Sequence, residues 1–350
     1  MQDPLELAAE VKRAARRIRA WVRHTPLELS EPLSDLTGAE VWLKLENLQT
    51  TGSFKLRGAA NKLASLGRED RARGVVTASS GNHGMAVAHA ARRLGCPATV
   101  FLAHGAAEPK RRALRRLGAA VRFHGDDVGD TERHARAWAA ARGLAYVPPY
   151  NDRLVVAGQG TVGLEVAADL PDPGLGAVFV AVGGGGLIAG AGGYLRSACP
   201  GLEVVGGQPR NSEVMRRSVE AGRILELPSR PTLSDGTAGG IEPDAITFPL
   251  CQRWVDRFVS VTERQIGRAM LLVLEHHHLA VEGSAGVALA ALLAERGRYR
   301  DRRVVVVLCG GNVSLATLSA LLAPASTSAR GCRAVQPVEK RPETRRAEEE

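Results

Sequence analysis

Four short segments carry residue types that could do chemistry. The first, Gly52-Ser53-Phe54-Lys55-Leu56-Arg57-Gly58, sets one lysine between an aromatic residue and a turn-rich flank, just after a β-like run from Val41 to Glu46. The second, Ser79-Ser80-Gly81-Asn82-His83-Gly84, begins 24 residues after Lys55. The third is a run of four glycines, Gly183 to Gly186, between an apolar strand pattern and Leu187. The fourth, Leu308-Cys309-Gly310-Gly311-Asn312, follows four consecutive valines.

Each segment suits one kind of reaction partner. A lysine that is partly desolvated near positive charge loses its proton and can attack an aldehyde, and the freed amine can later serve as a base. A serine-rich turn at a helix start offers N–H groups and hydroxyls to an anion. Four glycines remove every side chain, so successive N–H groups can surround a phosphate at the positive helix end. A cysteine at the C-terminal end of a buried strand lies where α/β sites collect, although a free cysteine is commonly a small buried hydrophobe. The glycine run also meets a loose dinucleotide pattern, Gly184-x-Gly186-x-x-Ala189. That pattern wants an acid about 20 positions on, at the end of the next strand. Here the strand runs into Gly206-Gly207-Gln208-Pro209. A nicotinamide dehydrogenase would also leave Lys55 and Asn82 without a task.

Together and in this order, the segments resemble the pyridoxal-phosphate (PLP) enzymes of the second fold type, across residues 5–323. The resemblance is nearest to the serine/threonine dehydratases and the related serine racemases. It implies a two-domain α/β fold of the tryptophan synthase β type, with parallel-type open sheets and helices on both faces. In that family the small domain is an insertion in the large one. This assigns 51–148 to the small domain, and 1–50 with 149–325 to the large PLP-binding domain.

The resemblance also implies roles. Pyridoxal 5'-phosphate is the expected cofactor, carried by Lys55 as a Schiff base. Its phosphate would lie on Gly183, Gly184, Gly185, Gly186 and Leu187. Phe54 either packs beside the cofactor or simply fills the core. Asn82 matches the asparagine that hydrogen-bonds the phenolic oxygen of PLP; a helix N-cap is its local alternative. Ser79, Ser80, Gly81, Asn82 and His83 would receive the substrate carboxylate, with His83 equally readable as a capping or structural histidine. Ser80 also stands where the racemases carry a catalytic serine. Glu282, in Val281-Glu282-Gly283-Ser284-Ala285-Gly286, is near the cofactor ring in the family, or else a helix N-cap neighbour. Cys309 matches relatives with a cysteine facing the pyridine nitrogen. A thiol is a weak donor there, so the ring would stay unprotonated and favour prompt loss of a leaving group.

The activity implied is β-elimination from a small β-hydroxy amino acid, L-threonine or L-serine, giving a 2-keto acid and ammonia. Serine racemisation, a related hydroxy-amino-acid lyase, and a non-catalytic binding protein on the same scaffold are the alternatives. Intact Lys55, Asn82 and glycine run argue against the last. Some relatives bind a divalent cation through a glutamate where this chain has Gln208, and a second acid where it has Val214. Hard cations want carboxylates, so no metal site is expected. His276-His277-His278 does not make one, because adjacent helical residues point ~100° apart.

The elements that must position these residues alternate along the chain. Strand patterns at 74–78, 98–102 and 120–123 alternate with helical patterns at 83–94, 110–117 and 131–142. A second series from Gln159 includes strands at 177–182, 202–205 and 304–308. This rhythm predicts parallel sheets with right-handed crossovers. A first helix has an apolar stripe of Leu7, Val11, Ile18 and Val22 beneath a basic face. The chain's 350 residues, 45% of them hydrophobic and 24% charged, suit a soluble globular protein with two cores. Its net charge of +9 is spread over helix faces without interleaved aromatics, so no nucleic-acid partner is expected, and no membrane. Five cysteines without Cys-x-x-Cys spacing fit a reducing compartment, and hence a cytoplasmic place. A homodimer or homotetramer is expected. The tail 326–350 lacks apolar periodicity and is predicted to be disordered.

Overall fold

The computed structural model describes residues 4–170 and 174–323. The tail 326–350 and Cys332 therefore lie outside the described residues. The strands are β1 (Leu27–Leu29), β2 (Glu40–Lys44), β3 (Val75–Ala78), β4 (Ala98–Leu102), β5 (Ala120–Phe123), β6 (Ala145–Tyr146), β7 (Leu175–Ala181), β8 (Glu203–Pro209), β9 (Arg257–Val261) and β10 (Arg303–Val307). They form two sheets. The larger has the order β1-β2-β10-β7-β8-β9 and the smaller β5-β4-β3-β6. Every pairing is parallel except β1 with β2 at the edge.

Sequence dictates this burial. Val304 to Val307 and Ala177 to Val180 are all buried, as strands covered on both faces require. Neighbouring β8 residues show the two covers. A Cβ on Gly192, in the helix Gly186–Ala198, would meet Val204 Cγ1 at 2.8 Å, while one on Gly207 would meet Val287 Cγ1, in the helix Gly283–Ala294, at 2.9 Å. Positions 204 and 207 point to opposite faces of a strand, so helices sandwich the sheet. A separate apolar cluster fills the smaller sheet and its helices, with Leu56, Leu63, Val87, Val100 and Leu114 among its members.

Two expectations shift. The first helix, Pro4–Ile18, stops before Val22, and its buried stripe is Leu7, Val11, Ala14 and Ile18. The strand expected at 202–205 runs on to Pro209 because β9, which has no strong apolar alternation, pairs with its far end.

Candidate active site

The lysine segment is zipped to the end of β10. Asn47 N–H donates to Leu308 O, Phe54 N–H to Cys309 O at 3.1 Å, and Gly311 N–H to Gly52 O at 2.9 Å. Lys55 thus opens the helix Lys55–Ala64 directly beside Cys309. Its side chain is half-buried, and Nζ donates to Pro149 O at 2.9 Å and lies 5.3 Å from the Phe54 ring centroid. Desolvation lowers the Lys55 amine to about 8, against the upward pull of Glu132, Cys309 and Glu282. A sizeable unprotonated fraction near neutral pH is what attack on an aldehyde needs.

Cys309 is buried, and burial with the nearby Glu282 charge pushes its thiol well above the ordinary range, so it is a neutral thiol. Glu282 sits at the N-cap of the helix Gly283–Ala294 but makes no capping bond. Both its carboxylate oxygens instead accept from Asn82 Nδ2 at 2.9 Å. Burial raises its carboxyl, and the bonds from Asn82 and the Asn312 N–H oppose this. Asn82 in turn accepts from Asn312 Nδ2 at 2.7 Å. Asn82, Glu282, Asn312 and Cys309 therefore form one contiguous corner.

The N-cap of the helix Asn82–Leu94 is Gly81, not Asn82, which frees the Asn82 side chain for that corner. Ser79 and Ser80 are half-buried; Ser79 Oγ accepts from Gly81 N–H, and Ser80 makes no hydrogen bond among the described residues. His83 is buried and its Nε2–H donates to Val147 O at 2.9 Å. Burial and Lys55 lower it to about 3, so it is neutral, and its buried Nδ1 has no hydrogen-bond partner among the described residues.

The glycine run joins β7 to the helix Gly186–Ala198. Gly185 caps that helix in the left-handed region, at φ 83°, where a side chain is strained. The N–H groups of Gly183, Gly184 and Gly185 donate to no acceptor among the described residues. Thr247 Oγ1 fixes the run by donating to Gly184 O at 2.6 Å. Leu187 is buried behind it.

Sequence reasoning missed several neighbours. Tyr150 packs its ring on Gly184 and accepts from Glu242 N–H at 3.0 Å. Arg136 Nη2 bonds Glu242 Oε2 at 2.5 Å and lies 4.7 Å over the Tyr146 ring. Glu132, on the helix Val128–Ala140, acts on Lys55 through its charge. A clue existed for Tyr150: it follows the end of β6, where α/β sites gather. That strand has only two residues, too few to read.

The residues fit an aldehyde-bearing phosphate cofactor: a weakly basic amine, a glycine turn with free N–H groups, and a neutral thiol close by. The model of the pyridoxal-phosphate dependent enzyme family matches residues 18–310. The chain belongs to that family. Pyridoxal phosphate is its cofactor, and its fold is the second-type α/β fold of these enzymes. It is similar to the L-threonine ammonia-lyase of Thermotoga maritima, with 42% identity over 87% of this chain and 75% of that enzyme. Among solved structures it is similar to a processed threonine deaminase isoform of Solanum lycopersicum, with TM-score 0.86, 33% identity and coverage of 91% and 87%. It is also similar to maize serine racemase, with TM-score 0.84, 30% identity and coverage of 89% and 95%. Among the described residues, no group of three or more His, Cys, Asp and Glu could hold a metal ion, and no helix is long and apolar enough to cross a membrane.

Proposed function

We propose that this protein is an ammonia-lyase that eliminates the β-hydroxyl of L-threonine or L-serine, yielding a 2-keto acid and ammonia. The carrying observation is the pairing of Lys55, an amine lowered to about 8, with the neutral thiol of Cys309. Bound cofactor supplies the electron-withdrawing system that acidifies the substrate Cα–H bond. Lys55 would hold the cofactor at Nζ and, once freed, take the Cα proton. The N–H groups of Gly183 to Gly186 would bind phosphate, with Leu187 behind them. Ser79, Ser80, Gly81 and Asn82 would orient the substrate carboxylate, while His83 positions that turn through Val147. Phe54 would pack beside the cofactor, and Asn82 and Glu282 would line its ring. Cys309, a buried neutral thiol, would offer the bound cofactor only a weak hydrogen-bond donor.

Residues 51–148 would form the small domain, and 1–50 with 149–325 the large one. Side-chain contacts would then bridge the two, among them Asn82 with Glu282, Arg136 with Glu242, Lys110 Nζ with Asp235 at 3.4 Å, and Arg57 with Glu46 and Glu165. The reading includes a cytoplasmic place and a homodimer or homotetramer; exposed Leu315 and Leu322 on the helix Leu315–Leu322 support a covered face.

The test is a panel of amino acids assayed for keto-acid and ammonia release. L-Threonine and L-serine should give 2-oxobutanoate and pyruvate with equimolar ammonia. Absence of both products from a PLP-loaded sample would reject the reading.

A further inference from the structure

The reaction just proposed needs a second proton movement. Hydroxide is a poor leaving group near neutral pH, so the β-oxygen must be protonated as it departs. Lys55 is engaged at Cα. Among the described residues Ser80 has no partner that could activate it, and His83 is held neutral with Nε2–H committed to Val147 O.

Glu132 is placed differently. It is half-buried on the helix Val128–Ala140, yet its side chain makes no hydrogen bond or ion pair among the described residues. Its natural counter-ion is Arg136, one helical turn on, at the spacing where acid–base pairs form. Arg136 instead bonds Glu242 and covers the Tyr146 ring. The same contacts hold the Glu132 helix at the site, because Arg136 bonds Glu242, and the Glu242 N–H donates to the Tyr150 hydroxyl whose ring packs on Gly184. The Glu132 charge acts on Lys55, with Glu242, Arg136, Tyr146 and Tyr150 as its other charged or titratable neighbours. Two buried oxygens in this group, Tyr146 Oη and Glu242 Oε1, also lack hydrogen-bond partners among the described residues. Unpaired polar atoms gathered around the Tyr150 ring that packs on the glycine run are arranged for a ligand, not for stability.

We propose that Glu132 is the acid that protonates the departing β-hydroxyl, a role that rests on the ammonia-lyase reading. Lys55 Nζ takes the Cα proton, and the Cα–H electron pair becomes the Cα=Cβ double bond. The Cβ–O bond breaks with both electrons going to oxygen. The Glu132 carboxyl proton joins that oxygen, and water leaves. Lys55 then holds one proton more and Glu132 one fewer, so transfer between these neighbours restores both. Burial and the Glu242 charge raise Glu132 to about 7, opposed by Lys55 and Arg136, which keeps a protonated fraction available near neutral pH.

The test compares Glu132→Gln with the unaltered enzyme, both loaded with PLP, on L-serine and on 3-chloro-L-alanine. Chloride leaves without a proton. Loss of a general acid should cut pyruvate formation from L-serine by about 10²-fold or more, while 3-chloro-L-alanine is still consumed near the unaltered rate. Glu132→Asp, which keeps a carboxyl, should retain more L-serine activity than Glu132→Gln. A second readout uses the apoprotein: the Glu132 charge raises the Lys55 amine, so Glu132→Gln should move the pH midpoint of PLP association downward. Equal loss on both substrates, no loss on either, or an unmoved midpoint would overturn the proposal while leaving the elimination reading intact. An unaltered enzyme inactive on both substrates would instead remove the reading itself.

Discussion

Tyr150 packs so closely on Gly184 that a Cβ there would stand 2.3 Å from its ring carbons Cδ1 and Cε1. Real Cβ contacts do not come that near, so any side chain at 184 must push the ring or the turn aside. The same turn presents the free N–H groups proposed to hold phosphate. Gly184→Ala should therefore lower PLP affinity by roughly tenfold or more, about 1.4 kcal/mol, with far-UV circular dichroism unchanged. Absorbance titration with PLP measures it. Undiminished affinity in a folded variant would refute the phosphate role.

The basicity of Lys55 sets a pH window for loading. A free lysine titrates near 10.4, and desolvation brings Lys55 to about 8 in the folded chain. Only the neutral amine attacks the aldehyde. PLP association with the apoprotein should thus accelerate as pH rises through about 8 and level off above it. Between that value and the unfolded one the folded state binds fewer protons, so apoprotein stability also rises with pH there. Borohydride reduction and peptide mapping should find the pyridoxyl group on Lys55. Lys44 and Lys62 are poor competitors, since they pair with Glu165 at 2.8 Å and Asp152 at 2.6 Å. Label on either one, or a pH-independent association rate, contradicts the assignment.

The legible part of this site was its backbone chemistry. A Ser-Phe-Lys turn, a glycine run and a Cys-Gly-Gly after four valines are local signals, because each needs only its own neighbours to make sense. The structure brings Lys55, Asn82, Glu282 and Cys309 into one neighbourhood. What stayed hidden came from other elements. Glu132 looks like one acid among several on a polar helix until folding half-buries it without a side-chain partner among the described residues, where its charge acts on Lys55. Nothing in its own segment marks Arg57 for burial, yet it is fully buried between two acids. Short edge pieces such as β1 and β6 carry too few residues for alternation to show. Their positions are set by the strands they pair with.

That buried arginine anchors the lysine helix. Arg57 donates to both oxygens of Glu46, at 2.8 and 2.7 Å, and to both of Glu165, at 2.6 and 2.8 Å. Lys44, also fully buried, adds a bond to Glu165. Burial alone would raise the Glu165 carboxyl, but Arg57 and Lys44 outweigh it and hold it below the usual range. Glu165→Gln leaves excess buried positive charge, so it should cost about 3–5 kcal/mol. Chemical denaturation would report this. A depressed carboxyl gives stability that is present above the unfolded value and is lost as pH falls through the folded one. The gap between the unaltered protein and Glu165→Gln should accordingly narrow in acid below the ordinary glutamate range. A loss under about 1 kcal/mol would show that the network contributes little.

Gln208 bears on metal dependence. It is buried on β8, where its Nε2 donates to Val182 O at 3.0 Å and its Oε1 accepts from Arg216 N–H at 2.7 Å. Both ends of the amide are committed to backbone, and Val214 is buried and apolar. Hard cations need carboxylate oxygens that this pair does not offer. Activity should survive exhaustive chelation. Complete loss restored by magnesium or calcium would mean that the cation binds elsewhere on this chain and that the reasoning from Gln208 is wrong.

Elimination should outrun racemisation. Inverting Cα requires a proton donor on the side opposite Lys55, and the resemblance to the racemases would give that place to Ser80. A serine hydroxyl is a poor acid or base unless a neighbour activates it. Here Ser80 makes no hydrogen bond among the described residues, and the nearby His83 is lowered to about 3 with its Nε2–H spent on Val147. The Cys309 thiol, neutral through burial, would offer the bound cofactor only a weak donor, which favours loss of the β-group over return of a proton to Cα. Both effects act in the same direction. L-Serine should give mostly pyruvate with little D-serine, and Ser80→Ala should remove what D-serine there is while sparing more of the pyruvate. Chiral chromatography of timed samples separates the two products. D-Serine forming faster than pyruvate would show that Ser80 is activated by a group this geometry does not reveal, and would place the enzyme among the racemases.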